Sequence, residues 1–375
     1  MSRPNRILML TLALAVIPMA ACAPSGASTT APAQAPTLAA QPMPATSTSP
    51  ETYNVLVGGH DEQNAADIEA YLPSTIHIHV GDTVVWKLNT KVIHTVTFLA
   101  GEKTPNFIVP APSGAQGTMM LNAKSALPAG PRDGQYDGKT FANSGVLGPD
   151  PGQVTEFRLT FTNPGTYQYV CIVHAEEKMV GTVIVENATT PVPSQAEDET
   201  EGKRELDAFA ALVPAAVQAA QAQEKPDQKN ADGTTTHNII VGYSQGQIDL
   251  EYYFPNKITA QPGDTVTWTL GKGDVSPHSI TFLNGAADPD LVAPQPQPNG
   301  PPLLLINAAA GAPQNADKLL TNQGIYNSGL IDPHAPGDHS FSLKIGNTPG
   351  TLAFQCVLHD DSGMKGTITV LPSTQ

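Results

Sequence analysis

The sequence predicts an all-β chain: two tandem Greek-key β-sandwich or barrel domains joined by a partly helical linker. Three observations predict it. The chain repeats itself once, each copy consists of short runs rich in β-branched and aromatic residues, and Pro and Gly punctuate those runs. Bulk composition agrees. The 375 residues suffice for two domains of ordinary size. Only 14% of them are charged, beside 35 Pro and 32 Gly, which suits β-rich domains with long irregular loops better than a helical bundle.

The chain opens on a processing signal. Arg3 and Arg6 precede an apolar run, Ile7 to Ile17, that is too short to span a bilayer as a stable helix. Pro18-Met19-Ala20-Ala21-Cys22 then resembles the lipobox of bacterial lipoproteins, which implies that Cys22 is lipidated and becomes the new N-terminus. The plainer alternative is a secretory signal with a stray Cys. The Ala/Pro/Ser/Thr-rich stretch that follows, residues 23–51, suits a disordered tether. The expected location is therefore outside the cytoplasm, in the periplasm or on the outer face of a bacterial envelope. Membrane contact is expected through the acyl anchor alone.

Loss of residues 1–21 removes Arg3 and Arg6 and no acid. The mature chain then has 17 basic and 34 acidic residues, a net charge of −17. Such a chain is a poor ligand for nucleic acid. An anionic membrane surface would repel it, and a basic protein would be attracted.

The repeat fixes the two domains, residues 52–187 and 236–375. Asn54-Val55-Leu56-Val57-Gly58 recurs as Asn238-Ile239-Ile240-Val241-Gly242, and Tyr71-Leu72-Pro73 as Tyr253-Phe254-Pro255. Gly81-Asp82-Thr83-Val84-Val85-Trp86 recurs as Gly263-Asp264-Thr265-Val266-Thr267-Trp268, and His94-Thr95-Val96-Thr97-Phe98 as His278-Ser279-Ile280-Thr281-Phe282. Asn143-Ser144-Gly145, Pro164-Gly165-Thr166 and the set Cys171, His174 and Met179 recur at Asn327, Pro349 and Cys356 onward, with an offset that drifts only from 182 to 185. Within a copy, Glu156-Phe157-Arg158-Leu159-Thr160-Phe161 alternates polar and apolar residues as a half-buried strand does. Thr166 to Val170 leads into Cys171, and Gly181 to Val185 closes the copy. Residues 188–235 form the linker. Its Ala/Gln/Glu-rich stretch 201–224 predicts a helix kinked at Pro214, whose residues Leu206, Phe209, Leu212 and Val213 could form one apolar face.

The repeat also bears on the cysteines. A disulfide between Cys171 and Cys356 is one reading in an oxidising compartment. Yet the two occupy the same place in two copies, each followed by the same His and Met. Equivalent buried positions do not generally face each other at the roughly 5.5–6 Å between Cα atoms that a disulfide needs.

The chemistry lies in Cys-x2-His-x4-Met, which occurs as Cys171–His174–Met179 and Cys356–His359–Met364, with His94 or His278 upstream. Thiolate and thioether sulfur suit Cu(I), and imidazole suits both copper oxidation states. Two His, one Cys and a weak axial Met sit between the geometries that Cu(I) and Cu(II) prefer. On these residues, beside Gly-Asp-Thr-Val-x-Trp, the sequence resembles the cupredoxin family, its plastocyanin and pseudoazurin members in particular, over residues ~52–187 and ~236–373. The resemblance implies a type 1 (blue) copper in each domain, two in all. Two departures stand out. The segment between first His and Cys is longer than in plastocyanin, and the Pro/Gly/Ala-rich stretches 102–140 and 285–323 read as loops covering one end or the domain interface. Thr95 or Ser279 stands where plastocyanin has Asn, and its hydroxyl could still make a supporting hydrogen bond. In the family the loop His is the exposed ligand, and here Glu176, Glu177, Asp360 and Asp361 put an acidic rim beside it. That rim would steer a basic redox partner, a cytochrome or an oxidase, in a salt-sensitive way.

Three functions compete. Two-domain relatives of this kind include nitrite reductases and small laccases, which place His beside the Cys ligand. Here the neighbours are Val170 and Ile172, and Gln355 and Val357. One His-x-His pattern, His77 and His79, puts two imidazoles on one strand face, but the second copy has Thr259 and Gln261 there. No catalytic residue is assigned. One-electron transfer is the leading expectation, copper storage, delivery or sensing the alternative, and an oxidase or nitrite reductase comes third.

Overall fold

The computed structural model describes residues 49–113, 119–150, 152–317, 319–337 and 339–373. The expected signal peptide, the acylation site Cys22 and nearly all of the tether lie outside the described residues.

Each copy is a two-sheet sandwich around its own core. In the first copy one sheet contains the strands Thr52–Asp61, Ala66–Leu72, Thr83–Leu88 and Glu156–Phe161. The other contains Thr75–His79, Thr97–Phe98, Ala142–Asn143, Gly165–Val170 and Val180–Glu186. The second copy repeats this plan from Thr235 to Val370. Alternation along the strands fills the space between the sheets. Val55 and Val57, Val84 and Trp86, Leu159 and Phe161, and Val183 and Val185 all point into one core. Trp86 is its largest member and meets Phe98 and Tyr169 edge-on. Trp268 meets Phe282 and Phe354 in the same way in the second core.

The two copies share a sheet. The strand Ala66–Leu72 of the first copy pairs antiparallel with Ile248–Phe254 of the second, with Ile68 opposite Ile248, Asp67 opposite Asp249 and Ala66 opposite Leu250. Glu69 N–H extends the ladder to the Gln247 carbonyl at one end, and Glu251 N–H to the Ala65 carbonyl at the other, both at 2.8 Å. A ten-stranded sheet thus runs through both copies. These two seam strands are buried on both faces along most of their length. One face carries Ala66, Ile68, Ala70 and Leu72 with Ile248, Leu250 and Phe254, and makes a third apolar core. The opposite face carries Asp67, Glu69 and Tyr71 with Asp249, Glu251 and Tyr253.

The linker covers the apolar face. It forms two helices, Gln195–Ala210 and Val213–Gln221. The first starts six residues before the sequence-based boundary at 201 because Ser194 and Glu197 make a reciprocal capping box, a signal present in the sequence as Ser-x-x-Glu. Pro214 does not kink a continuous helix. It sits in the first turn of the second helix, where its missing N–H has no cost. Val213, Ala216 and Ala220 are buried against the seam, and Leu206 and Phe209 are partly so, but Leu212 at the junction is 54% exposed. Glu205 accepts from Ser74 N–H and Oγ of the first copy, at 2.7 and 2.9 Å. Gln223 bonds the Lys272 backbone of the second.

The long insertions are more ordered than loops. They form the hairpins Ile108–Pro110/Met119–Leu121 and Val292–Gln295/Leu303–Ile306, which pair with each other across the copies through Leu121 opposite Leu304 and Met120 opposite Leu305.

Candidate metal centres

Three segments of the first copy meet at one site. His94 is fixed by backbone bonds in both directions with Leu147, at 2.9 and 2.8 Å. Cys171 follows the strand Gly165–Val170. Its N–H donates to the Met179 carbonyl, and Met179 N–H donates to the His174 carbonyl, so the loop closes on itself. Thr95 ties the segments together. Its N–H points at Cys171 Sγ, 3.4 Å away, and its hydroxyl accepts from Ile172 N–H at 2.8 Å. Ser279 does the same for Cys356 and Val357, at 3.3 and 2.9 Å. The hydroxyl that replaces the family's Asn therefore does make a supporting bond.

The donor atoms converge in both copies. Cys171 Sγ lies 3.7 Å from His94 Nδ1 and 3.6 Å from His174 Nδ1, and the two Nδ1 atoms are 3.0 Å apart. In the second copy the corresponding separations are 4.0, 3.6 and 3.1 Å for Cys356, His278 and His359. Donors held about 2.0–2.3 Å from one first-row metal stand roughly 3–4 Å from each other. Met179 and Met364 are fully buried at the ends of the two loops. Cys171 and Cys356 are both free thiols, so the disulfide reading falls. Among the described residues, these are the His/Cys/carboxylate groups whose ligand atoms converge, one in each copy.

This combination of donors and fold matches known proteins. The model of copper-binding proteins of the plastocyanin/azurin family matches residues 61–186. A plastocyanin from Scenedesmus fuscus is 35% identical over 132 residues, 35% of this chain and 96% of that protein. The chain belongs to the plastocyanin/azurin family of copper-binding proteins. A plastocyanin from Nostoc punctiforme is 30% identical over 135 residues, 36% of this chain and 73% of that one. Among solved structures, oxidised plastocyanin from Dryopteris crassirhizoma is 27% identical, with 36% of this chain and 98% of that chain covered, at a TM-score of 0.21.

The two loop histidines are enclosed to different degrees, and His359 remains partly exposed. His174 is buried, where the resemblance predicts an exposed loop ligand. Glu177, expected on an acidic rim, is also buried, while Glu176 and Asp361 remain exposed. Gly363 of the second ligand loop comes against Ala65 of the first copy, where an added Cβ would lie 3.4 Å from the Ala65 Cβ.

Two acidic side chains that the sequence reading missed complete the enclosure. Glu69 Oε2 stands 2.9 Å from His174 Nδ1 and 3.7 Å from His94 Nδ1. Glu251 Oε2 stands 2.7 Å from His359 Nδ1 and 3.6 Å from His278 Nδ1. Burial pushes both carboxyls up to about 7, against the pull of the neighbouring imidazoles. Burial lowers His94 well below the usual imidazole range. It works against His174 too, but Glu69 and then Cys171 raise His174 well above that range. Burial opposes a thiolate at Cys356, and the imidazoles of His359 and His278 overcome it, so its thiol is lowered well below the usual range. The missed signal was an extension of a recognised repeat: Asp67-Ile68-Glu69 precedes Tyr71-Leu72-Pro73 as Asp249-Leu250-Glu251 precedes Tyr253-Phe254-Pro255.

The copies differ behind the first His. His278 Nε2 lies 3.0 Å from Asp274 Oδ2. Thr90 occupies the matching position in the first copy and donates to Asp67 instead, so the copies differ in this carboxylate contact, although neither His94 Nε2 nor His278 Nε2 makes an aligned hydrogen bond. His77 and His79 do not join a metal group. His77 lies 4.0 Å from Glu186, and His79 bonds the Thr190 carbonyl at 2.8 Å.

Proposed function

We propose that the chain is a one-electron carrier holding two type 1 coppers, one on His94, Cys171, His174 and Met179, the other on His278, Cys356, His359 and Met364. Copper, when bound, supplies the Cu(I)/Cu(II) couple. One observation carries the reading: both Cys–His–His groups are prefolded inside separate apolar cores, each closed by a buried Met and by Thr95 or Ser279. Such a frame keeps the ligands in one arrangement, keeps water out and leaves little to reorganise when an electron passes. The residues flanking the two cysteines, Val170, Ile172, Gln355 and Val357, offer no imidazole link to a catalytic copper, which favours a carrier over an oxidase or nitrite reductase. The acidic surface suits a basic redox partner such as a cytochrome. Lipidation at Cys22 would hold the chain at the outer face of a bacterial membrane.

A visible and EPR spectrum of the copper-loaded chain, with a copper count, tests the reading. Two coppers with Cys-to-copper charge-transfer bands are expected, one lost in Cys171→Ser and the other in Cys356→Ser. Both should be reduced rapidly by a small cytochrome in stopped flow. Readily lost Cu(I) with no charge-transfer band would favour storage or delivery instead.

A further inference from the structure

Each seam strand sends a tyrosine hydroxyl to the residue that backs the Cys of its own copy. Tyr71, in Ala66–Leu72, is fully buried, and its hydroxyl donates to the Thr95 carbonyl at 2.5 Å. Tyr253, in Ile248–Phe254, is buried as completely and donates to the Ser279 carbonyl at 2.6 Å. Thr95 and Ser279 are the residues whose N–H groups point at Cys171 Sγ and Cys356 Sγ, 3.4 and 3.3 Å away. Their hydroxyls accept from Ile172 N–H and Val357 N–H. Each is therefore held at three points, two on the Cys-bearing segment and one on the seam.

A buried tyrosine hydroxyl needs a partner, and a phenylalanine would fill the same space without one. Ring packing therefore does not account for the oxygen. The surroundings of the ring also differ between the copies. Tyr71 lies edge-on to Tyr169, with centroids 4.6 Å apart, and Tyr253 lies edge-on to Phe354 at 4.8 Å. Leu72 of the first copy is Phe254 in the second, and Thr95 is Ser279. The hydroxyl-to-carbonyl bond is present in both copies across these changes. What the bond holds decides its role. Hydrogen bonding around the Cys sulfur is one means by which a protein sets the potential of a copper held by two His, a Cys and a Met. An N–H directed at that sulfur stabilises negative charge there, and the sulfur carries more of it beside Cu(I) than beside Cu(II). Such a bond weakens steeply as its alignment is lost, so its strength depends on where the backbone of residue 95 or 279 is held.

We propose that Tyr71 and Tyr253 are positioning residues for the two metal centres: each hydroxyl ties Thr95 or Ser279 to the seam, keeps its N–H on the Cys sulfur, and so raises the potential of the site in its own copy. The assignment rests on reading the two groups as copper sites. The tyrosines act through Thr95 and Ser279 and are not ligands themselves. Both come from the strands that join the copies. The join thus reaches each Cys sulfur through one hydroxyl and one backbone residue.

The test uses the full chain with one site removed at a time, so that each spectrum reports a single centre. Tyr71→Phe is placed in the Cys356→Ser background and Tyr253→Phe in Cys171→Ser, and each is loaded with copper. Phe keeps the ring and removes one oxygen. The expected result is a shifted Cys-to-copper charge-transfer band. Binding of Cu(I) relative to Cu(II) should fall at least ~3-fold, a drop in midpoint potential of ~28 mV at ~59 mV per tenfold. Proton NMR of the Cu(I) chain gives a second readout. The amide protons of Thr95 and Ser279 should lie well downfield in the unsubstituted chain, and each should move upfield in the Phe variant of its own copy. Tyrosines that only fill space predict lower stability with band, potential and amide shifts unchanged, and that result overturns the assignment while leaving the copper sites standing. Amide protons at ordinary positions in the unsubstituted Cu(I) chain overturn it without any variant. A chain that binds no copper removes both readings.

Discussion

Asp67 and Asp249 stand directly opposite each other where the two copies join, each on the seam face that carries Glu69 and Glu251. Like carboxylates in that position weaken a strand pair. Each is therefore separately neutralised or bonded: Asp67 meets His60 Nδ1 at 3.0 Å, and Asp249 accepts from Ser276 Oγ at 2.7 Å. The seam holds because its other face is wholly apolar and covered by the linker helices.

Because that face belongs to neither sandwich alone, the copies should not unfold separately. Calorimetry of the apo chain should show one cooperative transition. A fragment ending at residue 188 leaves Ala66–Leu72 as an uncovered edge with an apolar face, and sedimentation should find it self-associated or unfolded.

Gly58 and Gly242 lie behind the first ligand His at φ +76° and +65°. A Cβ at these positions would lie 2.9 Å from His94 Nε2 and 2.2 Å from His278 Nε2. Gly58→Ala and Gly242→Ala should each destabilise the chain by at least about 1–2 kcal/mol from backbone strain alone. Gly242→Ala, with the tighter approach, should also perturb the EPR signal of its own site and leave the other intact.

Asp274 Oδ2 gives the second site a carboxylate 3.0 Å from the ring Nε2 of His278, a contact that Thr90 cannot supply in the first. A redox titration should therefore resolve two one-electron waves, the second site at the lower potential. Asp274→Asn should weaken copper binding at that site by about 10–100-fold and move its wave toward the other.

Asp198 provides a pH-dependent term away from the metals. Burial raises its carboxyl from 3.8 to about 6. Below 3.8 it is protonated folded and unfolded alike. Between there and about 6 the unfolded chain ionises first, so stability falls as pH rises through that window and stays lower above it. Asp198→Asn should stabilise the chain by about 2 kcal/mol at pH 7.5, with helix-terminus attraction offsetting part of the gain, and by almost nothing at pH 3.5. Denaturant titrations at the two pH values measure the difference.

The sandwich and the two convergent Cys–His–His groups were legible because they rest on local signals: strand alternation, turn residues, and donors at fixed spacing on one loop. The seam was not. The run Ala66–Leu72 mixes Asp, Glu, Ala and Tyr, and its alternation has meaning only once two different partners cover its faces. Glu69 carries no local signal of its role for the same reason. The inserted hairpins escaped because the partner of each is the other insertion, some 180 residues away, which no local pattern encodes. The helix start at Gln195 was readable from Ser194 and Glu197, but the acidic composition around them concealed it.

The pairing of Ala66–Leu72 with Ile248–Phe254 uses the same edge of each copy, so the join is isologous, as in a two-fold homodimer. Written into one polypeptide, such a dimer no longer depends on protein concentration, and its halves no longer share one gene sequence. The two halves differ at Thr90 and Asp274 and at His60 and Ser244. A symmetric dimer must hold two identical sites, whereas this chain holds two that differ at Thr90 and Asp274. Glu69 and Glu251 flank the Asp pair two residues away on either side, about 14 Å apart by strand geometry, so the acids beside the two sites stand on a single sheet.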